Sequence, residues 1–262
     1  MKISGIILAG GKSSRLGFNK LKIKIGNTPL FIDMVVKLSY FCSEIIVSTS
    51  VENMQAINDE IKNINHYIKN YEALHLIIPG VVIAADIDLD TVSCSRQNGE
   101  QTLPLASSGA LKGIYSSLLK SSNQYCIVTA SDMPFLSYKL LKMLCDNISN
   151  KAENKKADMV LIKNPEGYEA LCAVYSRKCI HPIERNLLKG MFRITDILPF
   201  IDTRLIGQDL LKKLGIDPLN FFNINTSDDY KSFKEKWDAF SFRNSGYNGD
   251  GFIKKWNEFF FR

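Results

Sequence analysis

Histidine, tryptophan and long apolar segments are all scarce in this chain. Its 262 residues include three histidines and two tryptophans. No segment approaches the roughly 18–20 consecutive apolar residues that a membrane-spanning helix requires, so the sequence predicts a protein that does not span a membrane. The histidines have no recognisable catalytic surroundings, and we expect surface or core positions for His66, His75 and His181.

Cysteine motifs are absent as well. None of the six cysteines forms a C-x-x-C pair, which argues against a zinc knuckle and against a dithiol redox site. The N-terminal apolar segment, residues 6–9, is too short for the hydrophobic part of a secretory signal peptide. We therefore predict a reduced, cytoplasmic protein.

The charge is mildly basic and spread along the chain. There are 33 Lys and Arg against 27 Asp and Glu, for a formal net charge of +6, and no run of five or six like charges occurs. This distribution favours a solvated surface with one anion-binding site over a nucleic-acid-binding face. With 45% hydrophobic and 23% charged residues, the composition is that of an ordinary globular protein.

Short apolar runs rich in β-branched residues alternate with segments of helical periodicity. The runs predict buried strands at residues 3–9, 45–47, 81–85, 125–130, 159–162 and 170–175. The periodic segments predict helices at residues 30–40, 52–71, 110–119, 137–148 and 180–188. This alternation predicts an α/β fold with a mostly parallel sheet, in a single three-layer Rossmann-like domain.

The chain has no internal repeat, but its composition changes after residue 230. We predict one domain over residues 1–230 and an aromatic-rich extension over residues 231–262 that packs on its body. Docking to a partner is the alternative function of this extension.

A glycine turn follows the first predicted strand. The P-loop pattern fails here because its first glycine would fall at Ile6, and the G-x-G-x-x-G pattern fails because Lys12 stands at its second glycine. Glycines nevertheless let backbone N–H groups approach phosphate oxygens, and two nearby cations, Arg15 and Lys20, add full charges. The turn therefore favours a phosphate site over a simple strand exit with solvated basic residues. Its sequence is Leu8-Ala9-Gly10-Gly11.

A carboxylate, Asp132, stands two residues after the predicted strand at 125–130. Ligands of open α/β sheets bind at the carboxyl ends of the strands, where this residue would lie. Mg²⁺ in such sites takes one or two carboxylates together with phosphate oxygens. We therefore expect Asp132 to hold Mg²⁺, with a helix-capping or turn role as the alternative.

These motifs, with two others, resemble a known family. Residues 8–20 resemble the signature L-A-G-G-x-x-x-R-x-G-x-x-K of nucleotidyltransferases that share the nucleotide-diphospho-sugar transferase type of α/β fold. Residues 109–114 resemble G-P-L-A-G-I, residues 131–136 resemble C-D-M-P-F-L, and residues 222–226 resemble a late F-x-N-x-N-T segment. Together they resemble the molybdenum cofactor guanylyltransferases over about residues 1–230.

The resemblance implies a Mg²⁺-dependent enzyme that moves GMP from GTP onto molybdopterin, or the molybdenum cofactor, and releases pyrophosphate. Molybdenum-cofactor biosynthesis proteins or client enzymes would be its partners. Two alternatives remain. The same site could use CTP or another NTP with molybdopterin or a sugar or alditol phosphate, or the chain could be a non-catalytic nucleotide-binding module.

The resemblance also implies roles for individual residues. Arg15 and Lys20 would be catalytic, Asp132 would hold the metal, and Asn223 and Asn225 would bind the acceptor from an alternating, strand-like segment. A turn before the helix cap at residues 227–229 is the alternative for the two asparagines. The nucleotide would contact Leu8, Ala9, Gly10, Gly11, Lys20, Ser48, Asp86 and Asp132, although Ser48 stands where the family has asparagine. The loop at residues 91–108 would lie near the base pocket or have no role.

Overall fold

The structure is a computed structural model that describes residues 1–10, 16, 19–25, 27–68, 79–85, 109–150 and 155–242. Three predicted site residues, Gly11, Arg15 and Asp86, and the loop at 91–108 lie outside these ranges. Within the described ranges, no helix has the length and hydropathy of a membrane-spanning segment.

Twelve strands and eight α-helices are described. The hydrophobic pattern predicts the six longer strands but not the six shorter ones. The strands are β1 (Ile3–Leu8), β2 (Lys24–Ile25), β3 (Thr28–Pro29), β4 (Glu44–Thr49), β5 (Val81–Ala85), β6 (Tyr125–Ala130), β7 (Ser149–Asn150), β8 (Lys155–Lys156), β9 (Met159–Asn164), β10 (Gly167–Tyr168), β11 (Cys172–Ser176) and β12 (Thr203–Ile206). The helices are α1 (Leu30–Ser39), α2 (Met54–Lys62), α3 (Ile64–Ile68), α4 (Ala110–Lys120), α5 (Tyr138–Asp146), α6 (Ile180–Leu188), α7 (Gln208–Lys213) and α8 (Ser227–Phe242). Short 3₁₀ helices occur at Lys20–Lys22, Val51–Asn53, Arg177–Cys179, Ile194–Phe200 and Pro218–Phe221.

Eight of the strands form one mixed sheet. Its order is β10-β9-β11-β6-β1-β4-β5, and β12 also pairs with β9. The neighbours β6, β1, β4 and β5 are parallel, whereas β11 runs antiparallel to both β6 and β9. The predicted α/β fold with a mostly parallel sheet is confirmed. Because β1 lies at the centre of the parallel part, the turn that follows it comes to the middle of one sheet edge.

The central strands are buried on both faces, which explains why their sequences are continuously apolar. Successive side chains of a strand point to opposite faces. Ile7 accordingly packs in a cluster with α1 and α5, while Ile6 packs in a second cluster with α4 and α6. The helices of these two clusters cover the sheet from its two sides, and the predicted three-layer architecture is confirmed.

Two local predictions are wrong. The expected helix at 52–71 is interrupted, since α2 ends before Asn63 and α3 begins at Ile64. Asparagine favours such an end because its short polar side chain competes with the backbone for hydrogen bonds. Asn223 and Asn225 lie in a segment to which no helix or strand is assigned. Between them, the Ile224 N–H donates to the Asp132 carbonyl (3.0 Å).

Helix α8 crosses residue 230 and packs on the body of the protein through aromatic side chains. Phe233 is 2% exposed, and its ring centroid lies 5.9 Å from that of Phe135. Trp237 also packs on Phe135, at 6.2 Å between centroids. This contact joins the helix to the segment that follows Asp132. The domain boundary at 230 stays a prediction, and residues 243–262 lie outside the described ranges.

Glu44 joins the amino-terminal ends of β4, β1 and β6, opposite the strand ends that lead into the glycine turn. Its carboxylate accepts hydrogen bonds from the Ser4 hydroxyl (2.5 Å) and from the Ser122 backbone N–H (2.8 Å) and hydroxyl (2.8 Å). Burial raises the pKa of Glu44, but these hydrogen bonds outweigh burial and lower it below its usual value.

We expect Glu44→Gln to lower the free energy of unfolding by about 1–2 kcal/mol near neutral pH, because hydrogen bonds to a charged acceptor are lost. Since the folded pKa is the lower one, this stabilisation is present above the unfolded pKa of about 4.3 and is lost as pH falls below it. Urea unfolding of both proteins across this range measures the difference. A difference that stays constant through acid pH would contradict the assignment.

Candidate active site

The candidate site lies at the carboxyl ends of β1, β4 and β6, where backbone hydrogen bonds join the three strand ends. The Ala9 N–H donates to the Ser48 carbonyl (2.7 Å), and the Ser131 N–H donates to the Leu8 carbonyl (3.1 Å). These bonds continue the parallel ladders for one more residue. As a result, the glycine turn and the segment with Asp132 leave the sheet side by side.

Lys20 connects three segments that are far apart in the sequence. Its Nζ lies 2.5 Å from Asp132 Oδ2 and donates to Asn225 Oδ1 at 2.8 Å. The side chains of Lys20 and Asp132 are 18% and 12% exposed, so the pair lies at the base of an opening to solvent. Asn19 caps the short 3₁₀ helix that begins at Lys20, because its side chain accepts from the Leu21 N–H (3.0 Å).

The segment around Asn225 is held by Asp229. The Asp229 carboxylate accepts from the N–H groups of Asn225 (2.9 Å) and Thr226 (2.8 Å), while the Thr226 hydroxyl accepts from the Asp229 N–H (3.1 Å). This reciprocal arrangement is a capping box that starts α8. Burial raises the pKa of Asp229, but these hydrogen bonds and the nearby Lys20 outweigh burial and lower it. The helix-capping alternative for this segment is therefore compatible with a site role for Asn225.

The second carboxylate oxygen of Asp132 shows whether the site fits a metal ion. Oδ1 is buried and has no hydrogen-bond partner among the described residues. A buried carboxylate oxygen without a donor is costly, and a hard cation with oxygen ligands would satisfy it. Among the same residues, no group of three or more His, Cys, Asp or Glu side chains could hold a metal. The donor set therefore fits a cation that Asp132 shares with substrate oxygens.

A cleft of about 410 Å³ opens above the Lys20–Asp132 pair. It is lined by every predicted site residue within the described ranges: Leu8, Ala9, Gly10, Lys20, Ser48, Asp132, Asn223 and Asn225. Ser48 is 2% exposed, so it belongs to the wall of the cleft at the end of β4. The structure thus brings the described residues together, while their individual roles stay predictions. Nothing is described for the predicted positions Gly11, Arg15 and Asp86.

The N-terminus of α4 also lines the cleft, through Gly109, Ala110 and Gly113. The first backbone N–H groups of a helix have no partners within it, and the helix dipole favours an anion there. The resemblance of residues 109–114 to a family motif pointed to this segment, but these residues were not among the predicted site residues.

One wall of the cleft was not predicted at all. It comes from the end of β10 and the turn that leads to β11, and it consists of Tyr168, Glu169, Ala170 and Leu171. No local motif marks these residues, and their place in the cleft follows from the pairing of β11 with β6. Taken together, the cleft offers backbone N–H groups, a lysine, and a carboxylate with one oxygen that has no donor among the described residues, a combination that suits a polyphosphate with a cation.

Known proteins are similar to this chain over most of its length. A model of the MobA-like NTP transferase domain matches residues 5–198. The molybdenum cofactor guanylyltransferase of Desulfosudis oleivorans is 27% identical over 227 residues, which cover 87% of this chain and 92% of that protein. A probable molybdenum cofactor guanylyltransferase of Methanosarcina acetivorans is 29% identical over 239 residues, covering 87% and 88%.

A solved structure has the same fold. Molybdopterin-guanine dinucleotide biosynthesis protein A from Archaeoglobus fulgidus superposes with a TM-score of 0.62 at 22% identity, over 90% of this chain and 100% of that chain.

Proposed function

The chain belongs to the MobA-like NTP transferase family, and we propose that it transfers GMP from GTP to molybdopterin and releases pyrophosphate. The observation that supports this most is the contact of Lys20 with both Asp132 and Asn225. It joins three of the four motifs that resemble the molybdenum cofactor guanylyltransferases, and Gly109 of the remaining motif lines the same cleft. The relatives of that name make guanylyl transfer the most direct assignment.

In the proposed reaction, a phosphate oxygen of the acceptor attacks the α-phosphorus of GTP. A new phosphorus–oxygen bond forms, and the bond from the α-phosphorus to the oxygen that bridges to the β-phosphate breaks. Pyrophosphate leaves with that electron pair. The acceptor phosphate is largely ionised at neutral pH, so the step needs no general base, in keeping with a cleft whose described lining contains no histidine.

The barrier to this reaction is largely electrostatic because two anions must converge. Lys20 would place its ammonium beside the triphosphate, and the N–H groups at Gly10 and at the N-terminus of α4 would donate to phosphate oxygens. Such groups are fixed before the reaction, so they stabilise the developing charge without reorganising. Arg15 would add a second cation from the same turn.

Asp132 is the residue that would hold Mg²⁺. When bound, Mg²⁺ supplies positive charge beside the triphosphate and the leaving pyrophosphate. Lys20 keeps Asp132 Oδ2 fixed at 2.5 Å, and Oδ1 has no donor among the described residues. This division leaves one oxygen for the cation.

The two substrates would occupy opposite sides of this centre. Ser48 and Asp86, after β4 and β5, would contact the nucleotide, and Asn223 and Asn225 would contact the acceptor. We place the reaction in the cytoplasm, with other molybdenum-cofactor biosynthesis proteins or client enzymes as partners.

A nucleotide comparison tests the proposal. The protein is incubated with Mg²⁺, molybdopterin and GTP, CTP, ATP or UTP in turn, and pyrophosphate release is measured. We expect release with GTP and dependence on molybdopterin. Release with CTP alone, or with a sugar or alditol phosphate in place of molybdopterin, would assign a different transferase, and nucleotide binding without release would indicate a non-catalytic module.

A further inference from the structure

The unpredicted wall of the cleft contains an acidic side chain, Glu169, that the reaction described above does not use. Glu169 lines the same cleft as Lys20 and Asp132. A carboxylate repels the polyphosphates that this cleft would bind, so its presence there is unfavourable unless it meets a cation or N–H donors. Within the described residues, Glu169 belongs to no group of three metal-ligating side chains.

Hydrogen bonds fix both the backbone and the carboxylate of Glu169. Its N–H donates to the Ile162 carbonyl (3.0 Å), and its carbonyl accepts from the Cys172 N–H (3.0 Å). Oε1 accepts from Asn164 Nδ2 (2.8 Å), and Asn164 Oδ1 in turn accepts from Gln208 Nε2 (3.4 Å). Across the described residues, Oε2 has no comparable donor. The carboxylate is therefore held on one side and able to accept on the other.

The neighbouring residues give this wall a rigid shape. The Tyr175 hydroxyl donates to the Ala170 carbonyl (2.7 Å), and Tyr175 is fully buried. Tyr168, which is 36% exposed, lines the cleft beside Glu169, and Lys163 Nζ lies 5.9 Å from its ring centroid. Tyr168 pairs with Lys163, and the Glu169 N–H continues this register to Ile162, so the two side chains leave the hairpin on opposite faces. The contact that this wall offers is therefore the fixed carboxylate, which suits an edge of a heterocycle that has N–H groups.

The order of the strands in the sheet indicates which substrate would contact this wall. Glu169 lies between β10 and β11, which are on the β6 side of β1, whereas β4 and β5 are on the other side. Ser48 and Asp86, the proposed nucleotide contacts, follow β4 and β5. The wall with Glu169 therefore faces the acceptor half of the cleft.

We propose, resting on the proposed function, that Glu169 binds the 2-amino-4-oxo edge of the acceptor's pterin. The carboxylate accepts from the ring N3–H and the 2-amino group, which makes a pair of charge-assisted hydrogen bonds. Guanine has the same edge chemistry, so the test separates the pterin of the acceptor from the base of GTP.

A pair of ring analogues tests the inference without turnover. Binding of 6-hydroxymethylpterin and of 6-hydroxymethyllumazine, which has an oxygen in place of the 2-amino group, is followed by fluorescence titration. We expect the protein to prefer the pterin and Glu169→Gln to weaken pterin binding roughly tenfold to a hundredfold, with little loss of lumazine affinity. Glu166→Gln, an exposed glutamate of the same hairpin, is the matched control and should bind both rings like the parent protein.

Asn164→Ala provides a second variant, because it keeps the carboxylate and removes the donor to Oε1. It should weaken pterin binding to a smaller extent. Equal pterin affinity in the parent protein, Glu169→Gln and Asn164→Ala would overturn the inference. Weaker GTP binding in Glu169→Gln would instead assign the carboxylate to guanine, and a raised Mg²⁺ requirement would assign it to the metal; both results would also overturn it. Since the titration needs no catalysis, an inactive parent protein with Glu169-dependent pterin binding would count against the proposed function alone.

Discussion

Lys20→Ala is expected to lower kcat by about a hundredfold to a thousandfold, because it removes a fixed positive charge from the place where the triphosphate would bind. The ammonium contacts both Asp132 and Asn225, so its loss also releases two other side chains of the cleft. Steady-state measurement of pyrophosphate release gives the rate, and a thermal melt shows whether the variant remains folded.

Lys22→Ala is the matched control for this experiment. Lys22 belongs to the same 3₁₀ helix as Lys20, is exposed, and does not line the cleft. We expect its kcat to equal that of the parent protein. Asp132→Ala should lose turnover as Lys20→Ala does, and parent-like rates in both of these variants would remove the proposed site.

Lys37→Met is expected to lower the free energy of unfolding by about 3–5 kcal/mol, because it leaves a buried carboxylate without its cation. Lys37 Nζ lies 3.0 Å from Asp33 Oδ2, and the two side chains are 2% and 0% exposed. Burial lowers the pKa of Lys37, although Asp33 opposes that change. Lys37 also donates to the Pro134 carbonyl (2.9 Å), two residues after Asp132. Urea unfolding measures the loss.

An exposed ion pair with the same helical spacing serves as a control, because it has the same charges but is not buried. Lys142 and Asp146 are also four residues apart, with side chains 53% and 60% exposed. We expect Lys142→Met to leave the free energy of unfolding nearly unchanged, because solvent screens the exposed pair. The double variant Asp33→Leu, Lys37→Met should recover most of the stability, since an apolar pair can replace a buried ion pair at little cost. A Lys37→Met loss no larger than that of Lys142→Met would refute the interpretation.

Lys37→Met would also affect the candidate active site. The Pro134 carbonyl is fixed by α1 through Lys37, and Phe135 is fixed by Phe233 and Trp237 of α8. The segment that begins with Asp132 is thus held from two sides. Sequence patterns do not indicate this, because a lysine in an otherwise apolar helix is as compatible with solvent as with a buried ion pair.

The fold is predictable from the sequence where the signal is local. A strand buried on both faces requires a continuous β-branched run, and such a run ends visibly at a glycine or an aspartate. The hydrophobic pattern alone therefore places Gly10 and Asp132 at strand ends. It does not reveal the interruption at Asn63, because the apolar stripe continues across that residue from Ile61 to Ile64.

By itself, the sequence determined the order of the six longer strands and of most helices, the glycine turn, and the lysine and carboxylate that the structure pairs. Each of these depends on residues adjacent in the chain or on a short motif. The tertiary structure alone decided that Lys20 meets Asn225, that Lys37 and Asp33 are buried together, and that Glu169 enters the cleft. These contacts depend on how strands pair and how helices pack across the sheet. They join residues that are distant in the chain, so no local sequence pattern indicates them.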